Sequence, residues 1–502
     1  MKRFLLLFGL LFISSQILLA QFTLSGHVRQ WSGEDALNVN IPFIYGYYNE
    51  HSYNIPIDSH GNFHTNLPVS ERKLIYLQHG GQSHLIMAEP GGSLQISWDS
   101  LHAAPEVLQG STASVNQLLW KLNLNSIPFF MQEESAKSDY AKISPDHWTD
   151  SVRQPWKAHY DEQVRMIRHS ELDDTDKKWL LAETEANFNQ QLYYYASGYS
   201  NWPKEERLPV IATLYDSIAA PQAAVSPALL QHYYADSYTR YLEMKAFYYY
   251  LQHGSSNEIL LPYYQQRFDS LNNQIKINGK PFVNWLLVKN SFTPAAAETW
   301  LAQQVWLQGR NKDLATYRQL FSEFKKNYPR SRWMSSLAGK EIQLEKLLAQ
   351  SGNDTSVRLV ANYKEIRSIY KVLEQLRGKV VYLDIWGTWC GPCRMELAYT
   401  PQLKQRFAGK EVAFLYLDMD DDEKDGKWRE FIKLNGMSGW HLRKNKTEIE
   451  TFWKELLPAG ASIGYPTYFI FDKKGKLAVT QALRPSDGEK LYEQIEEVLK
   501  RK

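Results

Sequence analysis

Cys390 and Cys393 are the only cysteines in the 502-residue sequence, and two residues separate them. Thiols with this C-x-x-C spacing form a reversible disulfide, supply half of a metal site or lie idle in the fold. A four-thiolate zinc site needs a second such pair, which the sequence lacks, and the nearest downstream histidine is His441. A single pair of cysteines also cannot form the several disulfides that would stabilise a disulfide-rich fold of this size. The two cysteines therefore predict redox chemistry in which their own disulfide is the redox group, with no metal and no organic cofactor.

The two thiols lie where an apolar strand, residues 380–385, is followed by a helix that begins near Cys390. The first amide N–H groups of a helix have no partner within it, and the helix dipole favours an anion there. Both effects stabilise a thiolate at Cys390. Cys393, one turn further along, lies close enough to attack a mixed disulfide formed on Cys390, and Pro392 is tolerated in the first turn. The position thus predicts a nucleophilic thiol followed by a resolving thiol.

The residues around the cysteines resemble a known active site. The run 383–393 reads Leu-Asp-Ile-Trp-Gly-Thr-Trp-Cys-Gly-Pro-Cys. It resembles the thioredoxin active site, and specifically that of the exported thiol–disulfide oxidoreductases of the TlpA/ResA type. Asp384 matches the buried aspartate of thioredoxin, and Glu396 matches the active-site glutamate of the ResA-like branch. The resemblance covers about residues 353–502 and implies a thioredoxin-like fold for them.

The resemblance also implies roles for the matched residues. Cys390 is expected to be the attacking thiolate and Cys393 the resolving thiol. Asp384 and Glu396 are the candidate proton acceptors for Cys393, through a buried carboxylate whose pKa is raised by desolvation.

A second motif resembles the cis-proline loop of the same fold. It consists of Tyr465, Pro466 and Thr467, directly before an apolar strand. The resemblance implies that a cis Pro466 fixes the Tyr465 backbone beside Cys390, where an extended substrate segment can add as a strand. Trp389 is expected to shield the disulfide and to pack against this loop. These residues are the predicted substrate-binding set.

The direction of electron flow is predicted from the groups near the thiols. Gly391-Pro392 is the dipeptide of reducing thioredoxins, whose potential lies near about −270 mV. Arg394 is the only adjacent cation, and the two matched acids oppose deep stabilisation of a thiolate. We therefore predict an oxidoreductase that reduces protein disulfides and is recharged by a membrane electron donor. The alternatives are a disulfide isomerase, or a partner-binding module, with residues 21–352 as the binding arm.

Alternating strand and helix signals surround the active-site segment. The predicted strands are 380–385, 412–417, 468–471 and 477–480, and the predicted helices are 390–407, 425–434, 447–457 and 487–500. This order predicts an α/β sheet with a βαβ unit first and an antiparallel hairpin last. The family usually carries a proline directly after the Glu-Leu pair, whereas Ala398 follows Leu397 here. We therefore expect the helix 390–407 to continue straight.

The first two-thirds of the chain shows two other patterns. The β-rich runs 22–28, 41–48, 73–78, 84–87 and 94–98 predict a small antiparallel sandwich or barrel. From about residue 105, apolar residues recur at helical spacing and predict roughly eight to ten helices paired as hairpins. The predicted fold class is therefore multidomain: all-β, then all-α, then α/β. The predicted domains are a signal peptide at 1–20, a β domain at 21–104, a helical domain at 105–352 and a thioredoxin-like domain at 353–502.

The composition and the first residues of the chain limit which class of partner and which cellular compartment we expect. The chain has 57 Lys and Arg residues against 55 Asp and Glu, and this balance does not suggest nucleic acid as a partner. Lys2 and Arg3 precede an apolar run that ends before Ala20, which is typical of a secretory signal peptide. An uncleaved membrane anchor is the alternative, although roughly 16 residues is short for a span. We expect an exported protein of the bacterial periplasm or cell envelope.

Overall fold

The computed structural model describes residues 21–31, 37–79, 82–98, 105–216, 229–458, 460–461 and 463–501. The predicted signal peptide, residues 1–20, lies outside these ranges. The described residues fall into two compact units. The first contains the residues up to Lys245 together with Ser291–Thr299, and the second contains Ala246–Asn290 and the residues from Trp300 onwards. All described residues of the thioredoxin-like segment belong to the second unit.

Two four-stranded sheets open the first unit. Their strands are β1 Phe22–Val28, β2 Leu37–Asn40, β3 Ser52–Ile55, β4 Asn62–Leu67, β5 Lys73–His79, β6 Gln82–Ala88, β7 Ser93–Trp98 and β8 Glu106–Gln109. The strand orders are β4-β1-β7-β8 and β3-β2-β5-β6, and apolar side chains of both sheets form one core. This confirms the predicted β region. Strands β1 and β7 run parallel, so the first sheet is mixed rather than antiparallel as expected.

The predicted strand at 41–48 is wrong. The strand lies just before it, at β2, and residues 41–48 form an irregular segment. Pro42 has no N–H to donate to a neighbouring strand, and Gly46 has a φ of +88°. The Lys73 ammonium donates to the carbonyl oxygens of Pro42 and Phe43, at 3.1 and 2.9 Å. A side chain, rather than a strand, therefore satisfies this backbone.

Helices dominate the described residues between 105 and 352, as predicted. The α-helices there are α1 Ala113–Leu122, α2 Gln154–Arg168, α3 Asp174–Tyr194, α4 Lys204–Asp216, α5 Leu229–Gln252, α6 Phe268–Asn278, α7 Lys280–Ser291, α8 Pro294–Arg310, α9 Leu314–Asn327 and α10 Met334–Gln350. A two-stranded ribbon, β9 Leu260–Leu261 and β10 Gln266–Arg267, precedes α6. Within the described ranges, no helix combines the length and the apolar character needed to cross a membrane.

A six-stranded sheet flanked by helices closes the second unit. Its strands are β11 Val357–Leu359, β12 Val380–Trp386, β13 Val412–Asp418, β14 Gly439–Arg443, β15 Thr467–Phe471 and β16 Leu477–Thr480. Its helices are α11 Ile369–Glu374, α12 Gly391–Glu396, α13 Thr400–Arg406, α14 Asp425–Leu434, α15 Ile449–Leu456 and α16 Glu489–Lys500. The strand order is β11-β14-β13-β12-β15-β16. Strands β11 to β14 are parallel where they pair, and β15 runs antiparallel to β12 and β16, which confirms the α/β fold.

Strand β12 is buried along its whole length because helices cover both faces of the sheet. Val381, Leu383 and Ile385 pack into one apolar cluster, which also contains the cysteines. Val380 and Tyr382 pack into a second cluster with residues of α16. Successive side chains of a strand point to opposite faces, so this division follows from the alternation along β12.

The predicted straight helix at 390–407 is wrong. The chain forms two helices, α12 and α13, separated by a turn at 397–399. Pro401 lies in the first turn of α13 and has no N–H to donate to Leu397, four residues earlier. The N–H and the hydroxyl of Thr400 instead donate to the Leu397 carbonyl, at 3.3 and 2.9 Å. The turn therefore arises from Pro401, although the proline lies three positions later than in the family pattern.

Candidate active site

The two cysteines form a disulfide at the start of α12, with their Cα atoms 5.3 Å apart. Cys390 is the N-cap of the helix, and its sulfur accepts a hydrogen bond from the Cys393 N–H at 3.2 Å. Both cysteines are almost fully buried, at 3% and 2% exposure. An N–H group at a helix start has no partner within the helix and can stabilise a thiolate. Here the Cys393 N–H points at the Cys390 sulfur.

Asp384 is a buried carboxyl group in the middle of the sheet. Its neighbours across the strands are Tyr416 on β13 and Tyr468 on β15. Within the described residues, its Oδ1 atom has no hydrogen-bond partner. Burial raises the pKa of Asp384 to about 8, the negative charge of Glu396 acts in the same direction, and Lys404 opposes both. The folded protein therefore keeps this carboxyl group largely protonated at neutral pH.

Glu396 is also buried, but hydrogen bonds satisfy both of its oxygens. Oε2 accepts from the Ser486 N–H and Oε1 accepts from the Ser486 hydroxyl, each at 2.9 Å. Ser486 lies in a 3-10 helix, Pro485–Asp487, just before α16. Glu396 thus ties the end of the active-site helix to a distant loop. No sequence signal identified Ser486, because its partner Glu396 is 90 positions away in the chain.

Lys404 on α13 is a cation that lowers the pKa of Asp384. Burial lowers the pKa of Lys404 to about 8, and the charge of Asp384 acts in the opposite direction. Its ammonium nitrogen lies 5.1 Å from the ring centroid of Tyr416, the tyrosine beside Asp384 in the sheet. A lysine on a helix is normally solvated, so sequence spacing alone did not single out Lys404.

The predicted substrate-binding residues come together beside the disulfide motif. The Tyr465–Pro466 peptide bond is cis, as expected from the resemblance. The ring of Trp389 packs edge-on against Tyr465, with centroids 5.7 Å apart, and about half of Trp389 remains exposed. Thr467 begins β15 and pairs with Ile385, and its hydroxyl donates to the Gly464 carbonyl at 2.6 Å. Trp389 therefore packs against the loop, and part of its ring is open to solvent.

A further acidic pair, which the sequence analysis missed, holds the loop before the disulfide. Asp420 Oδ1 accepts from the Thr388 N–H at 3.1 Å, and Oδ2 accepts from the Thr388 hydroxyl. The Asp420 N–H donates to Asp418 Oδ1 at 3.0 Å. Burial raises the pKa of both carboxyl groups, and the charge of Asp420 raises that of Asp418 further. A Cβ atom at Gly387 would lie 2.7 Å from the Trp389 indole nitrogen, so a larger residue there would displace the Trp389 ring.

Comparisons with known proteins point to the same part of the chain. A family model described as Redoxin matches residues 369–495. The thioredoxin of Malassezia sympodialis is 30% identical over 89 residues, which cover 17% of this chain and 82% of that protein. Thiol-disulfide oxidoreductase ResA of Bacillus thuringiensis subsp. konkukian (strain 97-27) is 35% identical over 129 residues, or 26% of this chain. The match spans 66% of that ResA, slightly less than two-thirds of its length.

Among solved structures, the chain is similar to the thioredoxin domain of a thiol-disulfide oxidoreductase from Bacteroides vulgatus. That match is 23% identical, has a TM-score of 0.22, and covers 25% of this chain and 84% of the other.

Proposed function

Because the chain belongs to the thioredoxin family through its C-terminal domain, we propose that the protein reduces disulfides of other proteins through Cys390 and Cys393. The domain is a thiol–disulfide oxidoreductase domain related to proteins of the ResA/TlpA type. The observation that carries the proposal is the Cys390–Cys393 disulfide at the start of α12.

The reaction begins from the reduced dithiol. The Cys390 thiolate attacks one sulfur of the substrate disulfide, and the other substrate sulfur leaves as a thiolate and takes up a proton. Cys393 then loses its proton and attacks the Cys390 sulfur. This forms the Cys390–Cys393 disulfide and releases the second substrate thiolate. Two electrons thereby pass from the protein to the substrate disulfide.

Asp384 is the proposed acceptor of the Cys393 proton, in the fraction of molecules in which its carboxyl group is ionised. A free thiol has a pKa of about 8.5, and burial raises the pKa of Asp384 to about 8. Groups with similar pKa values exchange a proton efficiently in either direction. Glu396 contributes through its charge, which raises the pKa of Asp384. Its own oxygens are occupied by Ser486.

The charges near the thiols support reduction rather than oxidation of substrates. The Arg394 guanidinium donates to the Thr388 carbonyl at 3.4 Å and lies 3.9 Å from the Asp313 carboxylate, which offsets its charge. Glu396, at the end of α12, adds a negative charge, whereas Asp384 is largely protonated at neutral pH and adds no charge. A strongly oxidising dithiol needs a thiolate with a pKa of about 3.5, which this environment does not favour. We therefore propose a potential below about −200 mV.

The test has two parts. Reduced protein should reduce insulin disulfides in stoichiometric amount, and equilibration with glutathione buffers should give the potential. The Cys393→Ser variant should accumulate mixed disulfides, whereas Cys390→Ser should accumulate none. Failure to reduce insulin contradicts the proposed activity. A potential above about −150 mV would instead make the protein a disulfide donor.

We also propose that the protein works in the bacterial cell envelope and is recharged there by a membrane electron donor. The support is the apolar segment after Lys2 and Arg3, and the need of any reductant in an oxidising compartment for a source of electrons. Fractionation of cells that express the full chain, or a chain that starts at Gln21, tests this. Export of the full chain alone supports the proposal, whereas cytoplasmic retention of both contradicts it.

A further inference from the structure

A groove of about 720 Å³ lies beside the disulfide motif, within the second unit. One wall belongs to the thioredoxin-like domain and includes Trp389 and Tyr465. Another part of the lining belongs to the helical region, here called the helical wall, and includes Lys280 at the start of α7 and Thr316 in α9. The helical region therefore forms part of the surface that a substrate of the disulfide meets.

Ion pairs fix the helical wall to the thioredoxin-like domain. Asp313, the N-cap of α9, is almost fully buried, and its Oδ2 atom lies 3.0 Å from the Lys427 ammonium on α14. Lys427 also donates to the Thr316 hydroxyl at 2.7 Å. Arg318 on α9 pairs with Glu430 on α14 at 3.2 Å. These contacts thus hold the α9 part of the wall against α14.

The lining of the groove carries more positive than negative charge. Its cations are Lys280, Arg394, Lys424, Lys427 and Lys446. Its acids are Asp313, Asp421 and Glu450. The Asp313 carboxylate is already engaged, because it caps α9 and pairs with Lys427. The same carboxylate lies 3.9 Å from the Arg394 guanidinium, so the cluster of Asp313, Lys427 and Arg394 keeps one net positive charge. The lining as a whole, with five cations and three acids, favours an anion.

Three apolar side chains of the lining are exposed. Trp389 is 51% exposed, Ile463 is 50% exposed and Ile275 is 39% exposed. A small anion would leave all three in contact with water. A peptide that carries both acidic and apolar side chains would cover them and meet the cations at the same time. The two properties of the lining together favour a peptide over a small anion.

We propose that this groove binds an acidic, partly apolar peptide segment next to the substrate's disulfide, and that the helical wall contributes to this selection. The proposal rests on the proposed function, because it concerns the substrate of the same disulfide. It extends that function by assigning a substrate charge and by giving α7 and α9 a part in recognition.

Three model peptides with one disulfide and the same apolar residues test the proposal. They differ only in whether the flanking residues are Asp and Glu, Asn and Gln, or Lys. Exposed ion pairs are weak individually, but several together should give the acidic peptide about a tenfold higher kcat/KM than the neutral one. The preference should arise from a lower KM for the acidic peptide, and it should decrease as the salt concentration rises. Equal rates, a preference for the Lys peptide, or faster reduction of glutathione disulfide would each overturn the proposal.

Variants of the wall sharpen the test. Lys280→Gln on the helical wall and Lys446→Gln on the thioredoxin-like wall should each lower the acidic-to-neutral ratio of kcat/KM by about two- to threefold. The matched control is Lys433→Gln, because Lys433 is an exposed residue of α14 outside the groove lining. It should leave the ratio unchanged. An unchanged ratio in Lys280→Gln would overturn the role of the helical wall.

Binding of the same acidic peptide with serine in place of its cysteines separates the two proposals. Calorimetry on the oxidised protein should show binding that weakens with salt. Binding without any disulfide reduction would contradict the proposed function and leave the groove assignment standing. Disulfide reduction without charge-dependent binding would overturn the groove assignment and leave the proposed function standing.

Discussion

Two regions next to the disulfide each bury a pair of carboxyl groups, but they use them differently. In the helix-side pair, Asp384 and Glu396, the Asp384 Oδ1 atom has no hydrogen-bond partner among the described residues. In the loop-side pair, Asp418 and Asp420, both Asp420 oxygens accept hydrogen bonds from Thr388. Asp418 accepts the Asp420 N–H through Oδ1, and its Oδ2 has no partner among the described residues. Burial raises the pKa of Asp384 and of both loop-side acids.

The difference shows that a raised pKa does not by itself identify a proton carrier. A carboxyl group with a free oxygen can exchange a proton without breaking the structure around it. A carboxyl group that holds two donors of a loop loses those bonds if it is altered. We therefore expect Asp384, in the helix-side pair, to exchange protons and Asp420, in the loop-side pair, to position the segment before Cys390. Four predictions test this contrast.

Asp384→Asn should have the largest effect and should act in opposite directions on activity and stability. Loss of the proton acceptor should slow resolution of the mixed disulfide about 100-fold. Stability should rise, because the unfolded chain ionises this carboxyl group near pH 3.8 whereas the folded protein holds the proton until about pH 8. The free energy of unfolding of the wild type therefore decreases as the pH rises between these values. The variant lacks this decrease, because it has no carboxyl group at this position.

Single-turnover kinetics and urea unfolding at pH 4, 6 and 8 measure both effects. The stability gain should be absent near pH 4 and largest near pH 8. A variant that is slow but no more stable at pH 8 would contradict the burial argument for Asp384. A variant with normal kinetics would contradict its role as the proton acceptor.

Asp420→Ala should instead destabilise the protein. It leaves the N–H and the hydroxyl of Thr388 buried without an acceptor, and each such group costs about 1–3 kcal/mol. We expect a net loss of about 2–3 kcal/mol near pH 5. The loss should shrink as the pH rises, because burial raises the pKa of Asp420 and the wild type then bears the cost of ionising it. Urea unfolding at pH 5 and 8 checks this. A stabilised Asp420→Ala protein at pH 5 would remove the distinction between the two pairs.

Sequence spacing identified the acidic residues that lie close to the cysteines in the chain. Asp384 and Glu396 lie six and three positions from a cysteine, so a motif can include them. Asp420 and Ser486 reach the site from other elements, and their contacts depend on which strands pair. Strand β14 was not predicted because its sequence, Gly-Trp-His-Leu-Arg, lacks a clear alternation of apolar and polar residues. Its position in the sheet, between β13 and β11, could therefore not be predicted from the sequence.

Charge-neutralising variants around Asp384 should shift its titration in opposite directions. Glu396→Gln removes a charge that raises the pKa of Asp384, so the pKa should fall by about one unit. Lys404→Met removes a charge that lowers it, so the pKa should rise by about one unit. The pH dependence of the resolution step and the infrared band of the protonated carboxyl group report the shifts.

Matched controls come from the Glu411–Lys473 ion pair, which lies at the surface with its charged atoms 2.7 Å apart. Glu411→Gln and Lys473→Met make the same changes of charge away from the site, and both should leave the titration of Asp384 unmoved. Shifts of the same sign in Glu396→Gln and Lys404→Met would contradict the electrostatic account of the helix-side pair.

Ser486→Ala should have the smallest effect, because it removes only one of the two hydrogen bonds to Glu396. The backbone N–H remains as a donor to Oε2, so the loss should be about 1 kcal/mol of stability. Resolution of the mixed disulfide should slow by about twofold or less, since Asp384 keeps its surroundings. Ser486→Thr retains a hydroxyl and serves as the control in urea unfolding. A kinetic defect in Ser486→Ala as large as that of Asp384→Asn would mean that Glu396, and not Asp384, carries the proton. The helix-side pair would then depend on a hydrogen-bonded carboxyl group, Glu396, for its function. The loop-side pair likewise depends on a hydrogen-bonded carboxyl group, Asp420, to hold Thr388.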